Sequence, residues 1–478
     1  MTLEQLEPKE VFHYFKEICK IPHGSGNVKQ ISDYCVDFAK QHGLKYRQDE
    51  SLNVIIWKDG TSGYENSPAV ILQGHIDMVA VKEEDCTKDM EKEGLDLEIQ
   101  DGYLSAKQTS LGGDDGIAVA YALAILDDDS LSHPRLEFVC TVCEEVGMEG
   151  ATGIDVSMLK GKKLLNMDSE EEGVMLASCA GGCRADVKLP VERETVSGTK
   201  LTVSLSGLTG GHSGSEIDKG RGNANTLMSR LLRDASAPVA IASIDGGRKD
   251  NAIPRECTAQ IIVAPDKAAA VKASIEQAAA EIAEEFKASD PDLKLAVSEE
   301  TDCSESAISA KDSARVIALI EALPNGIIRM SREIDKLVET SLNLGVLKSD
   351  DAAVTLRYAV RSSVGVAKKS LKNQLVCIAG AFAAEVTFEG DYPAWEYKKD
   401  SKLREDMVRI FEEMYGKKPT VEAIHAGVEC GLLSGKIEGL DCISMGPDMY
   451  DIHTTEERLS ISSAKRSYEY ILRVIACK

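Results

Sequence analysis

Residues 9–20 and 27–42 place apolar side chains at three- and four-residue intervals, the spacing of a single helix face, which predicts two amphipathic helices near the start. Beyond them lie short, mostly apolar runs, Ala69 to Leu72, Leu136 to Cys143 and Lys163 to Asn166, of the kind found in strands buried on both faces. Ile117 to Leu123 reads as a further helix. Helices alternating with buried strands predict a mixed α/β sheet covered by helices. From about Arg184 the texture changes to strand-rich segments, Lys200 to Ser206 and Thr258 to Ala264, joined by long Ala/Glu/Lys helices such as Ala268 to Lys287. After about residue 390 the first pattern returns, with a helix from Lys402 to Met414, an apolar strand from Leu440 to Met445 and a last helix from about Ser463. The expected division is therefore 1–185, 186–390 and 391–478, with an α+β domain inserted into an α/β domain.

A length of 478 residues holds two to four domains, and 43% apolar with 28% charged residues is globular composition. No apolar run is long enough for a membrane span, and Met1 to Glu10, acidic and without an apolar core, does not read as a signal peptide. A formal charge of −24 repels phosphate backbones and anionic lipids, which argues against nucleic-acid and membrane partners. The 13 cysteines are odd in number and several sit inside apolar runs, as reduced thiols do, so a cytoplasmic location is expected. Cys140-x-x-Cys143 lacks a second pair at finger spacing, and no phosphate loop or Gly-x-Ser-x-Gly elbow is present.

The chemistry concentrates at the ends of the expected strands. Gln73-Gly74-His75-Ile76-Asp77, Leu111-Gly112-Gly113-Asp114-Asp115-Gly116, Cys143-Glu144-Glu145-Val146-Gly147 and Asn166-Met167-Asp168-Ser169-Glu170 would converge where α/β sheets bind ligands. So many carboxylates in one crevice need protons or a cation among them, and an imidazole in the set favours a transition metal over calcium. His75 is the natural ligand and Asp77, two residues on, its support. One of Asp114 and Asp115 can cap the following helix while the other bridges two metals. Adjacent residues at a strand end face opposite ways, so one of Glu144 and Glu145 can bind metal while the other faces the substrate water. Asp168 ends its strand in the same manner, and His453, in the returning part, is a candidate for the remaining ligand. In the inserted part, His212 is flanked by glycines in Gly210-Gly211-His212-Ser213-Gly214, and Asn251 and Arg361 have the chemistry to grip a carboxylate.

Taken in order, these motifs, with Asn251-Ala252-Ile253-Pro254-Arg255 and His425-Ala426-Gly427-Val428-Glu429-Cys430-Gly431, resemble the M20 family of metallopeptidases, nearest its bacterial aminoacyl-histidine dipeptidases. The likeness runs over nearly the whole chain. It implies a zinc-peptidase-like catalytic domain, a central mixed sheet flanked by helices, interrupted by an inserted α+β lid. It also implies two divalent ions, zinc first with cobalt or manganese as alternatives. Asp114 would bridge them, His75 and Asp168 would complete one metal, and Glu145 and His453 the other. Asp77 would orient His75, Glu144 would be the general base, and His212, Asn251 and Arg361 would come from the lid. The peptide after the bridging aspartate is expected to be cis. This chain has Asp115 where relatives carry other residues, so the choice of Asp114 as the bridge follows the motif alignment.

The expected reaction is hydrolysis of unblocked dipeptides, Xaa-His included, by a water activated between the metals, with Glu144 moving its proton and His212 stabilising the oxyanion. The alternatives are an N-acyl-amino-acid deacylase on the same scaffold and a binding protein that lost catalysis. The chain is expected as a monomer or homodimer.

Overall fold

The computed structural model describes residues 2–477 and falls into two compact units. Met1, at the head of the acidic opening stretch, lies outside the described residues. The first unit comprises the chain up to Cys179, Tyr397–Ala423 and everything from Val428 onward. The second is Ala180–Glu396, wider at both ends than the expected 186–390, and it also takes in Ile424–Gly427.

An eight-stranded sheet forms the centre of the first unit, in the order Lys45–Gln48, Val54–Lys58, Leu136–Thr141, Val70–His75, Lys163–Asn166, Asp441–Ser444, Val174–Cys179 and Thr420–Ile424. It is mixed. Val70–His75 runs parallel to both Leu136–Thr141 and Lys163–Asn166, and Asp441–Ser444 runs parallel to Lys163–Asn166, whereas Val54–Lys58 pairs antiparallel with Lys45–Gln48 and Leu136–Thr141, and Val174–Cys179 pairs antiparallel with Asp441–Ser444. These central strands are the apolar runs of the sequence, buried on both faces because helices cover both. Gly113–Asp127 is buried from Gly113 to Leu126, and a helix apolar all round belongs inside a core. Its Tyr121 lies in the same cluster as Phe15, Ile18, Leu72 and Phe138. The parallel strands end together at His75, Thr141 and Asn166, which brings the following loops to one edge of the sheet.

The second unit is a nine-stranded antiparallel sheet with helices Ala224–Arg233, Ala268–Phe286, Ala310–Ala322 and Gly365–Ala381. One half orders Lys294–Ile308, Arg193–Ser206, Cys257–Val263 and Ala240–Gly246; the other orders Val338–Ser349, Ala353–Ser362, Gly181–Pro190 and Glu385–Tyr392. The strand ladders of the two halves pair through Asp245↔Lys348 and Gly246↔Leu347, and Asn223 and Asn225 add side-chain hydrogen bonds to the Leu344 carbonyl across the same join. Gly326–Met330, paired antiparallel with Val338–Ser349, is the ninth strand, so the size of the insertion reflects a four-stranded and a five-stranded α+β half joined in one sheet.

All thirteen cysteines are free thiols, as the apolar settings of several led us to expect. Among the described residues no helix is long and apolar enough to cross a membrane.

Candidate metal centre

In the first unit the strand-end loops bring two sets of ligand atoms together. His75, Asp114 and Asp168 form one, and Asp114, Glu145 and His453 the other, with the atoms of each set within 4.8 Å of one another. Asp114 belongs to both, and its two oxygens divide between them. Oδ1 lies 3.2 Å from His75 Nε2 and Oδ2 lies 3.1 Å from His453 Nε2. Asp168 Oδ1 is 3.4 Å from the same His75 nitrogen. Glu145 Oε1 stands 3.0 Å from His453 Nε2 but is not aligned with it as a hydrogen bond. Two imidazoles and three carboxylates within reach of one another are a donor set that suits a divalent transition metal. The residues present therefore fit a pair of divalent cations.

Electrostatics agree. Burial, only partly opposed by His75, holds the Asp168 carboxyl well above its usual range, and Asp115 is raised by burial and by Asp168. His75 is buried, yet Asp168, Asp114 and Asp77 hold its proton on to well above the ordinary histidine value, and His453 is pushed up to about 10 by Asp114 and Glu145. Protons here stand where cations would otherwise balance the charge.

Asp77 and Glu144 complete this edge. His75 Nδ1 lies 3.0 Å from the backbone carbonyl of Asp77 and 3.5 Å from its carboxylate, so the main chain sets the ring. The Asp77 carboxylate accepts instead from the Ser25 hydroxyl at 2.7 Å and from the Glu144 amide at 3.1 Å. Glu144 and Glu145 lie in a turn beyond the strand, after Cys143 at φ 55°, so strand alternation does not divide them; turn geometry does. Burial raises Glu144 to about 8, with Glu429 and Glu145 adding to the effect against His75. The Asp114-Asp115 peptide is cis.

Neither aspartate caps the following helix. Asp114 and Asp115 have non-helical backbone, and the amides of Leu111, Gly112, Gly113 and Asp114 are taken by the carboxylate of Glu457. The sequence reading missed this residue, as it missed Glu429. Glu429 is fully buried and accepts from Gln73 Nε2 at 2.5 Å and Thr141 Oγ1 at 2.6 Å, and burial raises it to about 7. Its one signal was a place inside the His425 to Gly431 motif. Glu172, in an acidic run, makes a two-pronged pair with Arg466 at 2.7 and 2.6 Å.

The second unit gathers the remaining candidates. His212 pairs with Ala252 on a two-stranded ladder, next to Asn251, whose carbonyl accepts from the Ser213 amide at 2.9 Å. His212 Nδ1 accepts from the Gly214 and Ser215 amides at 3.3 and 3.2 Å, which leaves the ring proton on Nε2 as a free donor. Burial and the Arg361 cation lower its pKa. Arg361 reaches the Tyr392 hydroxyl at 3.4 Å, while its Nε is buried without a partner among the described residues. His425, given no role from sequence, lies 2.7 Å from the Ser341 hydroxyl and is lowered to about 3 by burial, Arg361 and His212. Two imidazoles held neutral near one guanidinium leave Arg361 the cation of this cluster, with its Nε unpartnered.

Comparison with known proteins gives the same picture. The cytosol non-specific dipeptidase of Escherichia coli (strain K12) is 36% identical over 465 residues, 96% of each chain. The aminoacylhistidine dipeptidase of Vibrio alginolyticus superposes with a TM-score of 0.92 at 33% identity, over 99% of this chain and 98% of that one. Aminopeptidase PepT from Bacillus cereus, at 14% identity and a TM-score of 0.57 over 98% of both chains, shares the fold. Residues 203–290 match the family model described as a peptidase dimerisation domain. With that likeness running from end to end of the chain, and with a centre suited to divalent cations, this protein belongs to the M20 family of metallopeptidases.

Proposed function

We propose that this chain is a metal-dependent dipeptidase that hydrolyses the amide bond of unblocked dipeptides, Xaa-His peptides among them. One observation carries the reading: the two oxygens of Asp114 face different histidines of two ligand sets, with Glu144 beside them. When bound, two cations supply Lewis acidity and lower the pKa of a water held at the site. Zinc is our choice, from the mixed imidazole and carboxylate donors. His75, Asp114 and Asp168 would hold one ion, and Asp114, Glu145 and His453 the other.

The residues of the chain do the rest. Asp77, through its carbonyl, fixes the ring of His75 and, through its carboxylate, fixes the amide of Glu144. Glu144 takes a proton from the attacking water and returns it to the departing amine nitrogen. His212 offers its Nε2 proton to the oxyanion as the carbonyl becomes tetrahedral. Arg361 and Asn251 hold the substrate's terminal carboxylate, which restricts the enzyme to short peptides with a free C-terminus. The name of the E. coli relative supports a cytoplasmic location, and the match to a dimerisation domain supports a homodimer.

The test is a substrate panel run on chelated protein before and after zinc, cobalt or manganese is restored. Free dipeptides should be cleaved only with metal present, and N-acetylated amino acids should not compete. Cleavage of the acetylated compounds alone would make the chain a deacylase.

A further inference from the structure

The segment that supplies His453 also holds the turn that supplies Asp114. Met449–Tyr450 and Arg458–Ser460 pair as a hairpin, through Met449↔Leu459 and Tyr450↔Arg458, and His453 rides on its loop. This histidine has φ 63°, backbone that residues other than glycine seldom hold, and its side chain is 43% exposed. A ligand on such a loop needs something rigid to stand on.

Glu457 closes the same loop and is only 3% exposed. Its Oε2 accepts from the amides of Leu111 at 2.8 Å and Gly112 at 3.1 Å, and its Oε1 from those of Gly113 at 2.8 Å and Asp114 at 3.4 Å. These are the donors at the start of the Gly113–Asp127 helix, where no side chain of the helix itself provides a cap. A carboxylate is favoured there by the helix dipole as well as by the four N–H groups. One side chain thus ties the hairpin of His453 to the turn of Asp114, and the reaction outlined above gives it no other task.

We infer that Glu457 is a positioning residue for the metal pair, keeping His453 and the bridging Asp114 at fixed separation. The inference rests on the two-cation reading of the centre. A carboxamide at this position keeps one acceptor oxygen but turns an NH2 group toward backbone donors, so Glu457→Gln should lose about half of the clamp and Glu457→Ala all of it.

The experiment is zinc titration of the stripped protein against a chromophoric chelator, which reads stoichiometry and affinity without turnover. Supporting outcomes are a loss of zinc affinity of roughly 10- to 100-fold in Glu457→Ala, with a smaller loss in Glu457→Gln. The control is Tyr470→Phe, which removes a 2.7 Å bond from the tyrosine hydroxyl to the Met407 carbonyl, away from the turn. It should stay within about threefold of wild type. At saturating zinc the KM of Glu457→Gln for a dipeptide should match wild type while kcat recovers, a split that general unfolding does not produce. If Glu457→Ala fails to fold, Glu457→Gln decides. Zinc affinity in Glu457→Gln equal to wild type, or a loss no larger than in the control, overturns the assignment. Wild-type protein that takes up fewer than two zinc ions per chain overturns the two-cation reading beneath it.

Discussion

The two units solve opposite electrostatic problems. In the first, Asp114, Glu145 and Asp168 crowd two histidines, so that His453 is pushed up to about 10 and Asp168 is raised by burial. In the second, burial and then the charge of Arg361 push His212 and His425 down, His425 to about 3. The same residue type is driven up at His453 by acidic neighbours and down at His212 and His425 by burial first and by the Arg361 cation second. One cluster lacks positive charge and the other lacks negative charge.

The largest effect that would break this contrast is at Glu144. Glu144→Gln should lower kcat by roughly 10²- to 10⁴-fold, the usual contribution of a general base, while metal content stays that of wild type. Unchanged turnover would take the base role from Glu144. In the second unit, Arg361→Ala removes a charge-assisted interaction of about 1.5 to 3 kcal/mol, so KM for dipeptides should rise by roughly one to two orders of magnitude with a smaller change in kcat. An unmoved KM would separate Arg361 from the substrate carboxylate.

The smallest effect concerns stability in acid. His425 titrates near 3 in the fold against the ordinary 6.5, so the folded state keeps it neutral while the unfolded chain takes up a proton. Its contribution is therefore complete above pH 6.5 and is lost as pH falls toward 3. At pH 5 that loss is about 2 kcal/mol. Thermal melts at pH 7.5 and 5 should show a smaller acid-induced drop for His425→Asn than for wild type. Equal drops would mean that this histidine is not held neutral.

Much of the first cluster was legible in the sequence because it is built from strand ends. His75 and Asp168 each close or follow a short apolar run, and parallel strands deliver such ends to one edge. Glu457 was not legible. It stands in Thr454-Thr455-Glu456-Glu457, which reads as a solvated turn, and its partners lie some 345 positions earlier in the chain. The face-by-face division of Glu144 and Glu145 failed for a local reason, since the strand stops at Thr141 and the chain has turned at Cys143, φ 55°, before it reaches them. The length of the insertion, about twice that of a simple four-stranded lid, left an internal second half open as one alternative, and the sheet carries it, the strand pairing between the halves running through two residue pairs.

The central claim is that Asp114 spans two cations held by separate partners. Metal analysis of purified, zinc-equilibrated protein by mass spectrometry tests it most directly. Wild type should carry two zinc ions per chain, His453→Ala one, and Asp114→Ala fewer than one. Two ions retained in His453→Ala, or in Asp114→Ala, would contradict it.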